Sequence, residues 1–203
     1  IPRVLGEKII TLPFNDFEGF ERVMRSYGEQ IAAVITEPCQ GNCGAILPQP
    51  GFLELIRKRT EECGTVFILD EVKTGFRVAR GGAQSLYGIY GDLSTYAKAM
   101  GNGYPVAAFG GRAEVMDVVG SHPGGVVHGG TYTANLVALS AAHATLKILA
   151  ETDALLILES DVPWFPHKAS PRPGGFIAQA GTDPLFARYP LRSFRSDVTV
   201  PTS

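Results

Sequence analysis

The chain has 203 residues, a formal net charge of −2, 45% hydrophobic residues and 19% charged ones. That length suits one domain with a sizeable core, or a domain plus a tail. The near-neutral charge argues against a strongly basic nucleic-acid binder, and no apolar run approaches the ~20 residues that a membrane helix needs.

The N-terminal IPRVLGEKII has neither a basic n-region nor an apolar h-region, so it reads as the interior of a longer chain and not as a signal peptide. Lys8 to Leu12 is expected to form a short strand. Asn15 and Glu18 have the spacing of a capping box. With Phe17, Phe20, Val23, Met24 and Tyr27 at helical spacing, this predicts an amphipathic helix over Asp16 to Tyr27, stopped at Gly28. Ile31 to Thr36 is an apolar run suited to a buried parallel strand. A Gly- and Pro-containing loop, Glu37 to Gln49, follows. Pro50 is expected to open the next helix, which ends at Gly64. Thr65 to Asp70 reads as a second buried strand closed by a carboxylate. Strands are further predicted at Leu93 to Ala97 and Val106 to Gly110, with helices at Ala113 to Val119 and Ala134 to Ala150. In the last helix Leu139, Ala142, Leu146 and Leu149 share a face.

Strands alternating with helices predict an α/β domain with a mostly parallel sheet and helices on both faces. Ligands collect at the carboxyl ends of such strands, where Glu37, Asp70 and Lys98 all fall. From Asp161 onward the pattern stops. This segment holds seven of the 14 prolines, and proline at that density predicts an irregular or disordered tail. The expected division is therefore residues 1–152 and a Pro-rich tail over 153–203. Three cysteines (Cys39, Cys43, Cys63) are an odd number and suggest a reducing, cytoplasmic setting. Cys39 and Cys43 lack a second pair to complete a zinc site, and no metal is expected.

Three stretches carry candidate chemistry. Asp70-Glu-Val-Lys-Thr-Gly-Phe-Arg77 begins with a strand-ending Asp, which on its own is as readily a turn former. In Ala97-Lys-Ala-Met-Gly-Asn-Gly-Tyr-Pro105 a Lys precedes glycines that allow close backbone approach, although alone it could be a solvated Lys. His128-Gly-Gly-Thr-Tyr-Thr-Ala-Asn135 could bind phosphate through N–H groups and hydroxyls, or could be a plain helix cap at Thr133. A P-loop, a complete dinucleotide fingerprint, H-E-x-x-H and G-x-S-x-G are all absent.

In order, E-P-x-x-G-N (from Glu37), D-E-V-x-T-G-F-R (from Asp70), K-A-x-G-N-G-Y-P (from Lys98) and G-G-T-Y (from Gly129) resemble the class III pyridoxal-phosphate aminotransferases. More narrowly, the motifs are similar to the glutamate-1-semialdehyde 2,1-aminomutase branch and its aminotransferase relatives. The resemblance covers about residues 1 to 150. It implies a partial fold-type-I large domain over 1–152 that binds pyridoxal 5′-phosphate, with a tail that the family does not explain.

The resemblance also implies roles. Lys98 would form the Schiff base with the cofactor and then shuttle a substrate proton, work that needs a neutral amine. Asp70 would keep the pyridine nitrogen protonated. Val72 would pack on a ring face, and Asn42 would lie near the ring oxygen. Thr131 would bind the cofactor phosphate of a neighbouring subunit, which implies a homodimer acting on a small-molecule amino donor and acceptor. Asn42, where many aminotransferases of the family carry Glu, and Gly75-Phe-Arg-Val78 both lean towards the aminomutase branch. Lys73 departs from the usual pattern and either places a second cation near the cofactor or points to solvent, the second being favoured. The whole family is longer than this chain. A catalytically silent cofactor-binding or dimerisation module, or a non-functional truncated fragment, is the alternative reading.

Overall fold

The computed structural model describes residues 6–120 and 122–151, and the backbone of three strands at 155–158, 177–181 and 198–201. The N-terminal strand expected at Lys8 to Leu12 is instead a turn and extended chain, closed by Ile9 N–H donating to the Gly6 carbonyl at 3.2 Å. Ile9 and Ile10 are both exposed and pair with no strand among the described residues.

The first helix, α1 (Phe17–Tyr27), is capped by Asp16, whose Oδ1 accepts the Gly19 N–H at 2.9 Å. Asn15, expected as the cap, is one residue too early and has φ +67°. Its amide is used elsewhere, donating to the Leu47 carbonyl at 3.0 Å and accepting the Gln49 N–H at 2.9 Å. Asx side chains tolerate the left-handed region and bond neighbouring backbone, which is why either residue could serve by sequence.

Strand β1 (Ala33–Thr36) leads to helix α2 (Phe52–Cys63). Gly51, at φ +91°, and not Pro50, takes the position before that helix, and Gly64 ends it in the left-handed conformation. Strand β2 (Val66–Asp70), helix α3 (Gly82–Tyr87), strand β3 (Leu93–Tyr96) and strand β4 (Ala108–Gly111) follow. A short helix α4 (Ala113–Met116) and the long helix α5 (Leu136–Glu151) complete this part. Asn135 rather than Thr133 caps α5, its Oδ1 accepting the Ala138 N–H at 3.0 Å.

The sheet order is β1-β2-β3-β4, with β1, β2 and β3 parallel and β4 antiparallel to β3. Phe67 and Leu69, two positions apart, share one face of β2 and are almost fully buried there. They pack with Phe20 and Met24 of α1 and with Phe52, Leu53 and Ile56 of α2. Burying each such side chain contributes about 1.5–3 kcal/mol. Phe14 and Phe17 meet the Phe52 ring edge-on, with centroids 5.3 and 5.2 Å away. At the amino end of β3, Asp92 accepts the Phe67 N–H at 2.8 Å and pairs with Arg57 at 3.1 Å and Arg112 at 3.2 Å.

The expected irregular tail differs in three places. Strands β5 (Leu155–Leu158), β6 (Ile177–Gly181) and β7 (Val198–Pro201) form a parallel sheet in that order. Six of the tail's prolines fall between these strands, and the seventh, Pro201, ends the edge strand β7. Proline is compatible with both positions because neither requires its missing N–H in a ladder. The remainder of 153–203 lies outside the described residues.

Candidate active site

Because β1, β2 and β3 are parallel neighbours, their carboxyl ends share one edge of the sheet. Glu37 follows β1, Asp70 ends β2, and Lys98 lies two residues beyond β3. The half-buried Asp70 is held through one oxygen: Oδ1 accepts the Val72 N–H at 3.0 Å and the Thr95 hydroxyl at 3.2 Å. Its Oδ2 takes no hydrogen bond among the described residues. Glu37 is turned into its own loop, where Oε2 accepts the Gly41 N–H at 3.2 Å.

Lys98 opens a short helical turn, Lys98–Met100, at φ +43°. That region is sterically costly for a residue with a Cβ. Its carbonyl accepts the N–H groups of Gly101 and Asn102, both at 3.0 Å, which fixes the turn, while the side chain is exposed. Helix α5 packs against this turn. Val72 is half-buried between Asp70 and the turn that follows.

Asn42 lies in the Gly41–Cys43 turn, and its Oδ1 accepts a hydrogen bond from the Lys73 ammonium. The Lys73 stem also covers Gly41, where a Cβ would fall 2.5 Å from Lys73 Cδ. Lys73 therefore clasps the Asn42 turn instead of extending freely into solvent, the favoured expectation. Arg77 donates to the Lys73 carbonyl at 2.6 Å, and burial pushes its guanidinium down from the ordinary arginine range. Thr131 is exposed, and among the described residues it makes no hydrogen bond to Asp70, Lys98, Val72 or Asn42.

Sequence reasoning missed a buried polar network behind this edge. Glu71 is fully buried and accepts from Thr74 Oγ1, from Ala83 N–H at 2.9 Å and from Gln84 N–H at 2.8 Å. Gln84 in turn donates to the Tyr96 hydroxyl at 2.9 Å and accepts from Gly91 N–H at 3.1 Å and Ser94 Oγ at 3.0 Å. The signal for it was faint: an acidic residue after Asp70, and a Gly81-Gly82 pair ahead of a helix too short to show a period. Below it, burial and then the Glu37 carboxylate push the Cys39 thiol up to about 11. Burial also pushes the neighbouring Tyr87 hydroxyl up to about 12.

Residues 7–159 match the family model described as aminotransferase class-III. A glutamate-1-semialdehyde 2,1-aminomutase 2 of Brevibacillus brevis is 46% identical over 159 residues, which is 78% of this chain and 37% of that protein. A glutamate-1-semialdehyde 2,1-aminomutase of Pyrobaculum aerophilum is 46% identical over 149 residues, 73% of this chain and 35% of its own length. Among solved structures, an omega-transaminase from Sphaerobacter thermophilus superposes with a TM-score of 0.68 at 37% identity, covering 73% of this chain and 34% of that one. A transaminase with PLP bound gives 0.64 at 32% identity, covering 69% and 33%. The matched stretch thus spans little more than a third of these relatives. No described helix is long and apolar enough to cross a membrane. The family match, the fold neighbours and the four motifs agree: the chain belongs to the class-III aminotransferase family.

Proposed function

We propose that this chain carries the lysine and aspartate of a pyridoxal-phosphate site for amino-group transfer, in a transaminase or an aminomutase. The observation that carries the reading is the placement of Asp70 and Lys98 at the carboxyl ends of adjacent parallel strands, β2 and β3. The residues fit the cofactor chemically. A half-buried carboxylate with one unengaged oxygen suits a protonated ring nitrogen, and an exposed amine on a fixed turn suits an aldehyde. When bound, pyridoxal 5′-phosphate supplies an electron-withdrawing ring that accepts charge from the substrate carbon.

This chain's residues do the rest. Asp70 Oδ2 would hold a proton on the ring nitrogen, and the Val72 N–H and the Thr95 hydroxyl keep the carboxylate aimed by occupying Oδ1. Lys98 Nζ would anchor the cofactor and later move a proton at the substrate carbon. Val72 would support one ring face. Asn42, oriented by Lys73, would meet the ring oxygen, and the Asn at this position favours the aminomutase over the transaminase. Thr131 would hold the phosphate in a second copy of the chain. The exposed apolar residues beside it, Val127, Tyr132 and Leu136, support such a homodimer. No role in nucleic-acid or membrane binding is proposed, and the cell compartment proposed is the cytoplasm.

The test is the visible spectrum after adding pyridoxal 5′-phosphate to wild type, Lys98→Ala and Asp70→Asn. Wild type alone should acquire the lysine-dependent absorbance at full strength, with Asp70→Asn weakened. A folded wild type with no such absorbance would instead support the reading as a silent module or fragment.

A further inference from the structure

Glu71 is a buried ionisable group that the chemistry above leaves unused. Its main chain belongs to the sheet edge: the N–H donates to the Thr95 carbonyl at 3.0 Å and the carbonyl accepts the Gly75 N–H at 2.7 Å. Its carboxylate is aimed away from that edge, into three donors. Oε2 takes the Thr74 hydroxyl and the Ala83 N–H, and Oε1 takes the Gln84 N–H. Gly82, at φ +69°, leaves room for it, since a Cβ there would fall 2.5 Å from Oε1. Removing a carboxylate wholly from water is unfavourable unless donors surround it. An apolar side chain would fill the same space without that cost.

Two arms run from this carboxylate to the two ends of the site. Through Thr74 it closes the turn that carries Val72, whose N–H holds Asp70 Oδ1. Through α3 it seats Gln84, which holds the Tyr96 hydroxyl two residues before Lys98. Tyr96 is gripped again by its ring, which stacks on Phe76 at 5.4 Å and lies where a Gly75 Cβ would be 2.7 Å away. We propose that Glu71 is a positioning residue that sets Asp70 and Lys98 relative to each other, a role that rests on reading those two as the site.

The test compares the full-length wild type with Glu71→Gln, Thr74→Val and Gln84→Met by amide hydrogen exchange. A glutamine at 71 must turn its NH2 towards Gln84 N–H or towards the Thr74 and Ala83 donors, so at least one arm should loosen. The expected result for Glu71→Gln is exchange about tenfold faster at Val72 or at Met100 to Asn102, the loss of one net hydrogen bond at the arm that the NH2 faces, with α2 amides unchanged. Thr74→Val should speed only Val72, and Gln84→Met only the Met100 to Asn102 segment. These two decide the matter even if Glu71→Gln does not fold. Unchanged exchange at both segments, or equal acceleration throughout α2, would overturn the proposal. Pyridoxal 5′-phosphate titrated into the same proteins gives a separate readout, with affinity about tenfold weaker in Glu71→Gln and Gln84→Met. Equal uptake by wild type and Lys98→Ala would sink the cofactor reading alone, because the exchange result stands without the cofactor.

Discussion

The Thr95 hydroxyl donates to Asp70 Oδ1 at 3.2 Å, across the β2–β3 ladder in which the two residues are direct partners. The strand that delivers Lys98 therefore also holds the aspartate. Replacing Thr95 by Val keeps the β-branched shape and removes the hydroxyl. The expected loss is about 1 kcal/mol of stability, with weaker pyridoxal-phosphate uptake because only the Val72 N–H then aims the carboxylate. Thermal unfolding and a cofactor titration read the two effects separately, and a variant with unchanged uptake would show that Val72 suffices.

Gly82 and Gly88 make a matched pair for measuring the Glu71 contact. Both have left-handed backbone, at φ +69° and +70°, but a Cβ at Gly88 meets nothing within 4 Å. Gly88→Ala should cost about 1–2 kcal/mol from backbone alone. Gly82→Ala should cost about 1–3 kcal/mol more, because its methyl overpacks the buried carboxylate. Denaturant unfolding of the two variants measures the difference. Equal costs would mean that the carboxylate moves aside freely.

Acid stability should depend on Asp92. Burial by itself would raise its carboxyl, but the Phe67 N–H, Arg112 and Arg57 outweigh that and hold it below the usual carboxylate range. A lowered folded-state value contributes stability that is present above about pH 4 and is lost as pH falls through the folded value. Asp92→Asn should remove about 3 kcal/mol at neutral pH, because Arg57 is left partly buried without its anion. The same variant should show a smaller further loss on acidification than wild type, as measured by unfolding at pH 7 and pH 3.

Thiol reactivity should separate the cysteines of the C-x-x-x-C pair. Cys39 is buried with its thiol pushed up to about 11, whereas Cys43 is exposed. At mildly alkaline pH an alkylating reagent should modify Cys43 in the native protein and Cys39 only on unfolding. Peptide mapping by mass spectrometry checks this. Because Cys43 adjoins Asn42, its modification should also weaken uptake of the cofactor.

The sheet edge was legible in the sequence because β1 and β2 are largely apolar runs that alternate with helical stretches, and the groups that matter stand at or just beyond the strand ends. Asp70 and Lys98 needed no long-range information. The Glu71–Gln84–Tyr96 network did, since it joins polar side chains 12 to 13 positions apart that nothing local marks as partners. Local chemistry also failed to separate Asn15 from Asp16 as a cap, because the competing bonds to Leu47 and Gln49 lie more than thirty positions away. The antiparallel turn of the sheet at β4 and the strands between the tail's prolines were hidden for the same reason: pairing is a property of two segments.

The left-handed backbone at Lys98 has a consequence for how the protein would respond to selection. A glycine there would relieve about 1–2 kcal/mol of steric cost, and the exposed side chain gives up no packing in exchange. Lys98→Gly should therefore melt higher than wild type while losing the amine. A screen for thermal robustness alone would reward discarding the reactive group, so persistence of lysine at this position would record selection for chemistry against the interest of the fold.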